Sequence, residues 1–312
     1  MTIQQIKYVL ALDIYRHFVK AAESCFVTQS TLTIQVKKLE EEIGCELFDR
    51  SVQPLVPTPM GEQFILKARK IDFALQDLKD TFNQEFNRIE GKFRLGIIPT
   101  LAPYLLPLFL GEFLEKHPKT ILEIEELESE TILSYLKLGR LDLGLLSTPT
   151  HEAGIREIPL FYEPFLLYSN LHNNILQSED RIKVEQLEKD KIWLLAKGHC
   201  FRNQMMNFCN LSTETCSIQN LHLGGGSIET LKKMIKTTSG YTLIPELSVD
   251  EAVDKDYIKR LEEPEPAREI SLVVQKNFTK RLLIKELKSC IVKNIPSHFQ
   301  NVNKFQPVLW RT

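Results

Sequence analysis

The sequence predicts a two-part molecule: an all-α N-terminal unit that runs into one long helix, then a larger α/β unit. Three observations lead to that expectation. In the first sixty residues, helix-capping signals alternate with short apolar stripes at helical spacing. From Pro59 to about Ile89, apolar residues recur at steps of three and four without a break. From Lys92 onward, short β-rich runs alternate with helix-length segments.

Thr2 and Gln5 have the spacing of a capping box, and Ile3, Ile6 and Leu10 follow on one face, which predicts a first helix to about Tyr15. A second helix over 19–25 carries the small residues Ala21 and Ala22. Thr28 is placed to cap a third helix starting at Gln29. In it Leu32, Val36, Leu39 and Ile43 form an apolar stripe, and Gly44 stands where a C-terminal cap belongs. The other side carries Ser30, Thr33, Ile34 and Lys37, with Gln29 and Thr31 in the exposed first turn. Such side chains read base edges and phosphates when a helix enters a major groove by its N-terminus; they also suit a plain solvated face. Lys and Arg at 7, 16, 20, 37, 38 and 50 face Asp and Glu at 13, 23, 40, 41, 42, 46 and 49. The segment has no net positive field, so any DNA contact depends on where Lys37, Lys38 and Arg50 stand.

Thr58 and Pro59 suit the N-cap and first position of the long helix. Its stripe is Phe64, Ala68, Ile71, Leu75, Leu78, Phe82, Phe86 and Ile89, nearly a heptad seam. At about 1.5 Å per residue this is a rod of roughly 45 Å, suited to pairing with a second copy, or else to packing on its own domain. Beyond it, strands are expected over 93–99, 121–125, 141–147, 165–168, 192–195, 241–244 and 270–275. Helices are expected over 104–116, 131–137 and 280–290. The alternation predicts a parallel α/β architecture.

Composition excludes several function classes. With 312 residues, 43% hydrophobic and 26% charged, the chain is neither low-complexity nor wholly disordered. Six cysteines are too few for a disulfide scaffold. The start Met1-Thr2-Ile3-Gln4-Gln5 lacks a signal-peptide pattern and no apolar run reaches membrane-span length, so a cytoplasmic protein without a membrane partner is expected. No G-x-S-x-G elbow or H-E-x-x-H motif argues for an enzyme, and no cofactor is expected. The run Glu123, Glu125, Glu126, Glu128, Glu130 is read as a solvated edge rather than a metal site, and Gly224-Gly225-Gly226 as a plain loop.

The segment from Lys197 to Cys209 is the most informative. Cys200 follows a glycine and should open a helix whose core face is Phe201, Met205 and Phe208. The helix dipole, His199, Lys197 and Arg202 are each expected to favour its thiolate. Cys209 lies nine residues on, on the opposite face and about 13 Å along a regular helix, so bonding the pair would require unwinding. Two cysteines so spaced also suit unrelated core positions. A metal sensor of His199, Cys200, Cys209, Cys216 and His222 lacks any C-x-x-C pair. Cys25, Cys45, Cys216 and Cys290 are read as packing or surface residues.

The run from Phe18 to Thr33, with Lys38-Leu39-Glu40, Leu47-Phe48-Asp49-Arg50 and Thr58-Pro59-Met60-Gly61, resembles the winged helix-turn-helix of LysR-type transcriptional regulators. Gly198-His199-Cys200 with Arg202, Gln204 and Phe208-Cys209 is similar to the sensing segment of the peroxide-responsive OxyR branch. Gly96-Ile97-Ile98-Pro99-Thr100, Pro103-Tyr104-Leu105-Leu106-Pro107, Ser227-Ile228-Glu229-Thr230-Leu231 and Pro264-Glu265-Pro266 with Arg268 match the same branch. Ser30, Asn203 and Thr238 depart from the Pro, Asp and Gly common there.

The resemblance implies an N-terminal all-α winged helix-turn-helix over 1–58, a linker and dimerisation helix over 59–90, and a C-terminal α/β two-lobed periplasmic-binding-protein-like domain over 91–312. Lobe I is expected over 91–162 and 267–312, lobe II over 163–266, with crossings near Glu163 and Pro266. It implies Cys200 as the peroxidatic cysteine and Cys209 as the resolving one, forming a reversible disulfide. Thr100, Ser129, His199 and Arg268 would line or support the peroxide pocket, and Gln29, Ser30, Thr31, Thr33, Lys37 and Arg50 would face DNA. The implied partners are double-stranded operator DNA, further copies in a homodimer or homotetramer, RNA polymerase, and a thioredoxin- or glutaredoxin-type reductant. An organic effector bound between the lobes, with incidental cysteines, is the alternative.

Overall fold

The computed structural model describes residues 1–85, 89–171, 181–187, 192–196, 198–209, 211, 227–238 and 240–311. It divides into two compact units, Met1–Arg88 and Ile89–Thr312.

The first unit contains α1 (Ile3–Tyr15), α2 (Phe18–Ser24), α3 (Gln29–Ile43), β1 (Phe48–Asp49), β2 (Val56–Pro57) and α4 (Pro59–Glu85). The capping box forms: Gln5 N–H donates to Thr2 Oγ1 at 3.2 Å and Thr2 N–H to Gln5 Oε1 at 2.8 Å. Thr28 caps α3 through Thr31 N–H, and Gly44 ends it in the left-handed region at φ +77°. Leu32, Val36 and Leu39 are sealed against Val9, Leu12 and Ala21, while Ile43 stays half-buried at the rim. β1 and β2 pair antiparallel as a small wing. Buried Glu40 ties this wing to α3, accepting from Leu47 N–H at 2.8 Å and Arg50 Nη2 at 2.5 Å.

α4 starts as expected, with Gly61 N–H on Thr58 Oγ1 at 3.0 Å. Its first turns bury Ile65 and Ala68 on the helix-turn-helix core, and Arg69 pairs with the buried Asp13 of α1. Farther along, Ile71 and Leu78 are exposed. The expected stripe overran the helix. Phe86 lies outside the described residues, and Ile89 is buried in the second unit, where its carbonyl accepts from Thr120 Oγ1 at 2.7 Å. An apolar residue leading into a strand satisfies the same spacing as one on a helix, so the sequence pattern ran on past the boundary.

The second unit contains β3 (Gly91–Ile97), α5 (Ala102–Lys116), β4 (Thr120–Glu126), α6 (Ser129–Lys137), β5 (Leu143–Thr148), β6 (Ile155–Ser169), α7 (Cys200–Phe208), α8 (Ile228–Thr237), β7 (Tyr241–Pro245), α9 (Glu251–Asp254), β8 (Ile258–Arg260), β9 (Glu265–Gln275), α10 (Arg281–Asn294) and β10 (Phe305–Pro307). The strand order is β4-β3-β5-β9-β6-β7, with β10 on β9 and β8 on β6. The parallel expectation needs correction. β3 is parallel to β4 and β5, but β9 is antiparallel to β5 and β6, and β6 is antiparallel to β7 and β8. Alternation in sequence reports crossovers and says nothing of the direction of strands joined by long connections.

β6 is far longer than the expected 165–168. It pairs with β9 from Ile155 to Pro164, then with β7 from Phe165 to Ser169. That handover sets Glu163 opposite Arg268. The segment expected as a strand over 192–195 makes only a bridge from Ile192 to Tyr241. No helix among the described residues is long and apolar enough to cross a membrane.

Candidate functional site

Cys200 is the first residue of α7, with His199 at the N-cap. Gly198 makes that entry possible. Its φ is +103°, and a Cβ there would collide with the Glu128 carboxylate at the start of α6. Phe201 and Met205 anchor the helix in the core, with Phe165 edge-on to Phe201 at 5.1 Å between ring centres. Cys200 is only 3% exposed, and Cys209, just past the other end of α7, is 4% exposed. Neither is in a disulfide.

Four predicted pocket residues converge here. Arg268, fully buried on β9, donates from Nη1 to Thr100 Oγ1 at 2.8 Å and from Nη2 to the Thr100 carbonyl at 3.0 Å. Its guanidinium lies 5.6 Å from the centre of the Phe201 ring. The Ser129 hydroxyl is buried with no oxygen or nitrogen partner and sits beside the Cys200 sulfur. His199 is half-buried, and burial lowers its imidazole pKa against the pull of Glu128, which favours the neutral ring.

The expected sources of thiolate stabilisation are only partly present. Burial is the dominant influence on Cys200 and pushes the thiol up, opposed by Ser129, the Arg268 charge and the first backbone N–H groups of α7. Arg202 is occupied elsewhere, donating to the Leu195 carbonyl at 2.7 Å, and Lys197 lies outside the described residues. A thiol ionises by losing a proton, so a raised pKa leaves less thiolate at neutral pH and more as pH climbs. The thiolate ultraviolet absorbance, taken as the difference between the protein and Cys200→Ser, should therefore rise with a midpoint above the ordinary cysteine value of about 8.5. A midpoint near neutrality would contradict this balance.

The decisive addition is Glu163, singled out from sequence only as a crossing point. It is fully buried, accepts from Arg268 Nε at 2.8 Å, and takes the Leu247 N–H at 3.0 Å on its other oxygen. Burial raises its pKa while Arg268 and the Leu247 N–H hold it down. Gln204, one turn after Cys200, is also fully buried, yet nothing in the sequence marked its surroundings. A cavity of about 550 Å³ is lined in part by Leu247, Arg260, His298 and Phe299, and Cys200 does not line it.

On α3, Gln29, Ser30, Thr31 and Lys37 are exposed, and Thr33 is half-exposed with its hydroxyl on the Gln29 carbonyl at 2.8 Å. Thr28 Oγ1 gathers Ser30 Oγ at 3.0 Å and Thr31 Oγ1 at 2.8 Å into one hydroxyl cluster at the helix start. Arg50 is exposed as well, while it donates to Glu40 and stacks over Phe18 at 5.7 Å. Phe26, in the turn before α3, is 96% exposed with φ +56°, a presentation no sequence pattern signalled.

Glu123 pairs with Lys92 and Glu130 with Arg311, and no cluster of three metal-ligating side chains occurs among the described residues. Cys216, His222 and Gly224–Gly226 lie outside them. Cys25, Cys45 and Cys290 are half-buried. Asn203 projects from the exposed side of α7.

Comparison with known proteins matches two families. Residues 3–62 match the bacterial regulatory helix-turn-helix protein, lysR family, and residues 87–295 match the LysR substrate binding domain. The chain is 32% identical over 306 residues to the DNA-binding transcriptional dual regulator OxyR of Escherichia coli strain K12, covering 97% of this chain and 99% of that protein. It is 31% identical to the hydrogen peroxide-inducible genes activator of Haemophilus influenzae, covering 95% and 98%. Among solved structures, a full-length OxyR variant from Pseudomonas aeruginosa superposes with a TM-score of 0.79 at 28% identity, covering 95% of this chain and 99% of that one.

Proposed function

Because the chain belongs to the LysR family of transcriptional regulators, among its OxyR-type members, we infer that it is a DNA-binding regulator that senses hydrogen peroxide through Cys200 and Cys209. The observation that carries this is a buried thiol at a helix start, beside the buried Ser129 hydroxyl and a buried guanidinium, with a second buried cysteine past the other end of the same helix. In the first step the Cys200 thiolate attacks one peroxide oxygen. An S–O bond forms, the O–O bond breaks, and the departing hydroxide takes a proton to become water. Arg268, held by Thr100 and Glu163, and the Ser129 hydroxyl stabilise the sulfur anion, and His199 borders the pocket. In the second step Cys209 attacks the Cys200 sulfenic acid, an S–S bond forms, and water leaves. A thioredoxin- or glutaredoxin-type dithiol restores both thiols by exchange.

The DNA face is α3, with Gln29, Ser30, Thr31, Thr33 and Lys37, and Arg50 beside it. Domains follow the family pattern: 1–58 for DNA binding, 59–90 for the linker, and lobes over 91–162 with 267–312 and over 163–266. The exposed Ile71 and Leu78 of α4 support pairing with a second copy as homodimer or homotetramer. RNA polymerase is the partner through which operator occupancy changes transcription.

Lys37→Ala should weaken binding to operator and random duplex alike, with a salt slope shallower by about one phosphate contact. Thr33→Val should mainly reduce discrimination between them. Arg50→Ala should also lower the thermal stability of the first unit, because it removes the partner of buried Glu40. Equal affinities for Lys37→Ala and the unchanged protein across salt would exclude this face. For α4, Ile71→Glu with Leu78→Glu should shift sedimentation toward monomer, and an unchanged profile would exclude pairing through that helix.

A further inference from the structure

α7 is held from outside by the C-terminal segment. β10 lies parallel to the start of β9, with Phe305 opposite Glu265 and Pro307 opposite Ala267, and Val308 N–H continues the ladder to the Ala267 carbonyl at 2.8 Å. This brings residue 308 alongside Arg268, and there Val308 and Leu309 meet α7. The Val308 carbonyl accepts from Gln204 Nε2 at 2.7 Å, and the Leu309 carbonyl accepts from Asn207 Nδ2 at 2.9 Å. Farther on, Trp310 is buried and donates its indole N–H to the Ser147 carbonyl of β5 at 2.9 Å. Arg311 donates to the Thr150 carbonyl at 2.7 Å and pairs with Glu152 and with Glu130, the neighbour of Ser129.

Gln204 and Asn207 are three residues apart, so they stand on adjacent positions of one helix face only while α7 is helical. The two consecutive carbonyls of Val308 and Leu309, just past β10, match that spacing. Gln204 lies four residues after Cys200, on the same face. Its amide hydrogens are taken by Val308 and by Ser147 Oγ at 3.0 Å, which fixes the side-chain orientation and leaves Oε1 buried without a partner.

The geometry points to 308–311, anchored by Trp310 and Arg311, as the positioning element that keeps α7 in the register where Cys200 meets Ser129 and Arg268. The proposal rests on the thiol chemistry inferred above. The two steps make opposite demands on this clasp. Attack on peroxide needs Cys200 held at its pocket, whereas capture by Cys209 needs α7 to unwind and therefore to release both carbonyls. Weakening the clasp slows the first step and speeds the second.

The test uses the full-length protein with Asn207→Ala, Arg311→Ala and Trp310→Phe, the last keeping an aromatic ring, smaller than the indole, but not the N–H. Hydrogen exchange of the reduced protein should show severalfold faster exchange in the α7 amides and none of this acceleration in α10. In a Cys209→Ser background, dimedone labelling should report slower sulfenate formation in each variant. With Cys209 present, disulfide formation from the sulfenate should be faster. Unchanged α7 exchange in all three variants, or equal slowing of both steps as from general damage, would overturn the clasp. If the unaltered protein forms no sulfenate at Cys200, the thiol chemistry fails, while the exchange measurement still decides whether the clasp holds α7.

Discussion

Cys200→Ser should abolish the response to hydrogen peroxide altogether, and Cys209→Ser should stall it at a sulfenic acid open to over-oxidation. The expectation follows from where the sulfurs stand. α7 spans Cys200–Phe208, so at about 1.5 Å per residue its length separates the cysteines by roughly 13 Å, whereas a disulfide needs α-carbons within about 7 Å. The bond exists only in a rearranged state, and its formation selects that state over the helical one. Both cysteines belong to buried surroundings, Cys209 in the same core as Phe201 and Met205, so the rearrangement must also disrupt apolar packing. Non-reducing peptide mapping before and after brief peroxide exposure is the direct check. Two unreacted thiols, or Cys200 bonded chiefly to Cys216, would refute the mechanism.

Arg268→Ala should be the most destabilising single change in the site, costing roughly 3–5 kcal/mol as expected when one partner of a buried ion pair is removed. It strands the Glu163 carboxylate, which is fully buried and keeps only the Leu247 N–H. It also strips Thr100 of both its guanidinium contacts and Cys200 of its nearby positive charge. The Cys200 thiol should therefore titrate still higher in this variant, slowing oxidation even where the protein remains folded. Combining Glu163→Gln with Arg268→Met should recover much of the stability but none of the reactivity, because neutral groups remove the stranded charge without restoring the guanidinium. Denaturant unfolding and peroxide kinetics on the same three proteins separate the two effects. A loss below 1 kcal/mol for Arg268→Ala would show that water or rearrangement compensates the carboxylate.

The helices of the first unit were legible because their determinants are local. The Thr2–Gln5 box, the Thr28 cap, the Leu32–Val36–Leu39 stripe and Gly44 each act within a few residues, and each formed as expected. The helical start at Cys200 was legible for the same reason, since Gly198 and the apolar spacing of Phe201 and Met205 are neighbours in sequence. The end of α4 was not. Apolar spacing alone does not separate the last turn of a helix from an apolar residue leading into a strand, and Ile89 satisfies both descriptions.

Short-range pattern was thus enough for the local elements, the two-part organisation and the pair of cysteines that matter. Strand direction and the surroundings of the Cys200 thiol came from contacts between distant segments. Glu163 meets Arg268 across 105 residues, Gln204 meets Val308 across 104, and Trp310 meets Ser147 across 163. Burial determines whether the thiol is pushed up or drawn down, and burial is a sum over segments distant in the chain. A helix start and nearby cations predicted an activated thiolate; desolvation by the packed core outweighed them and left Ser129 and Arg268 as the groups opposing it.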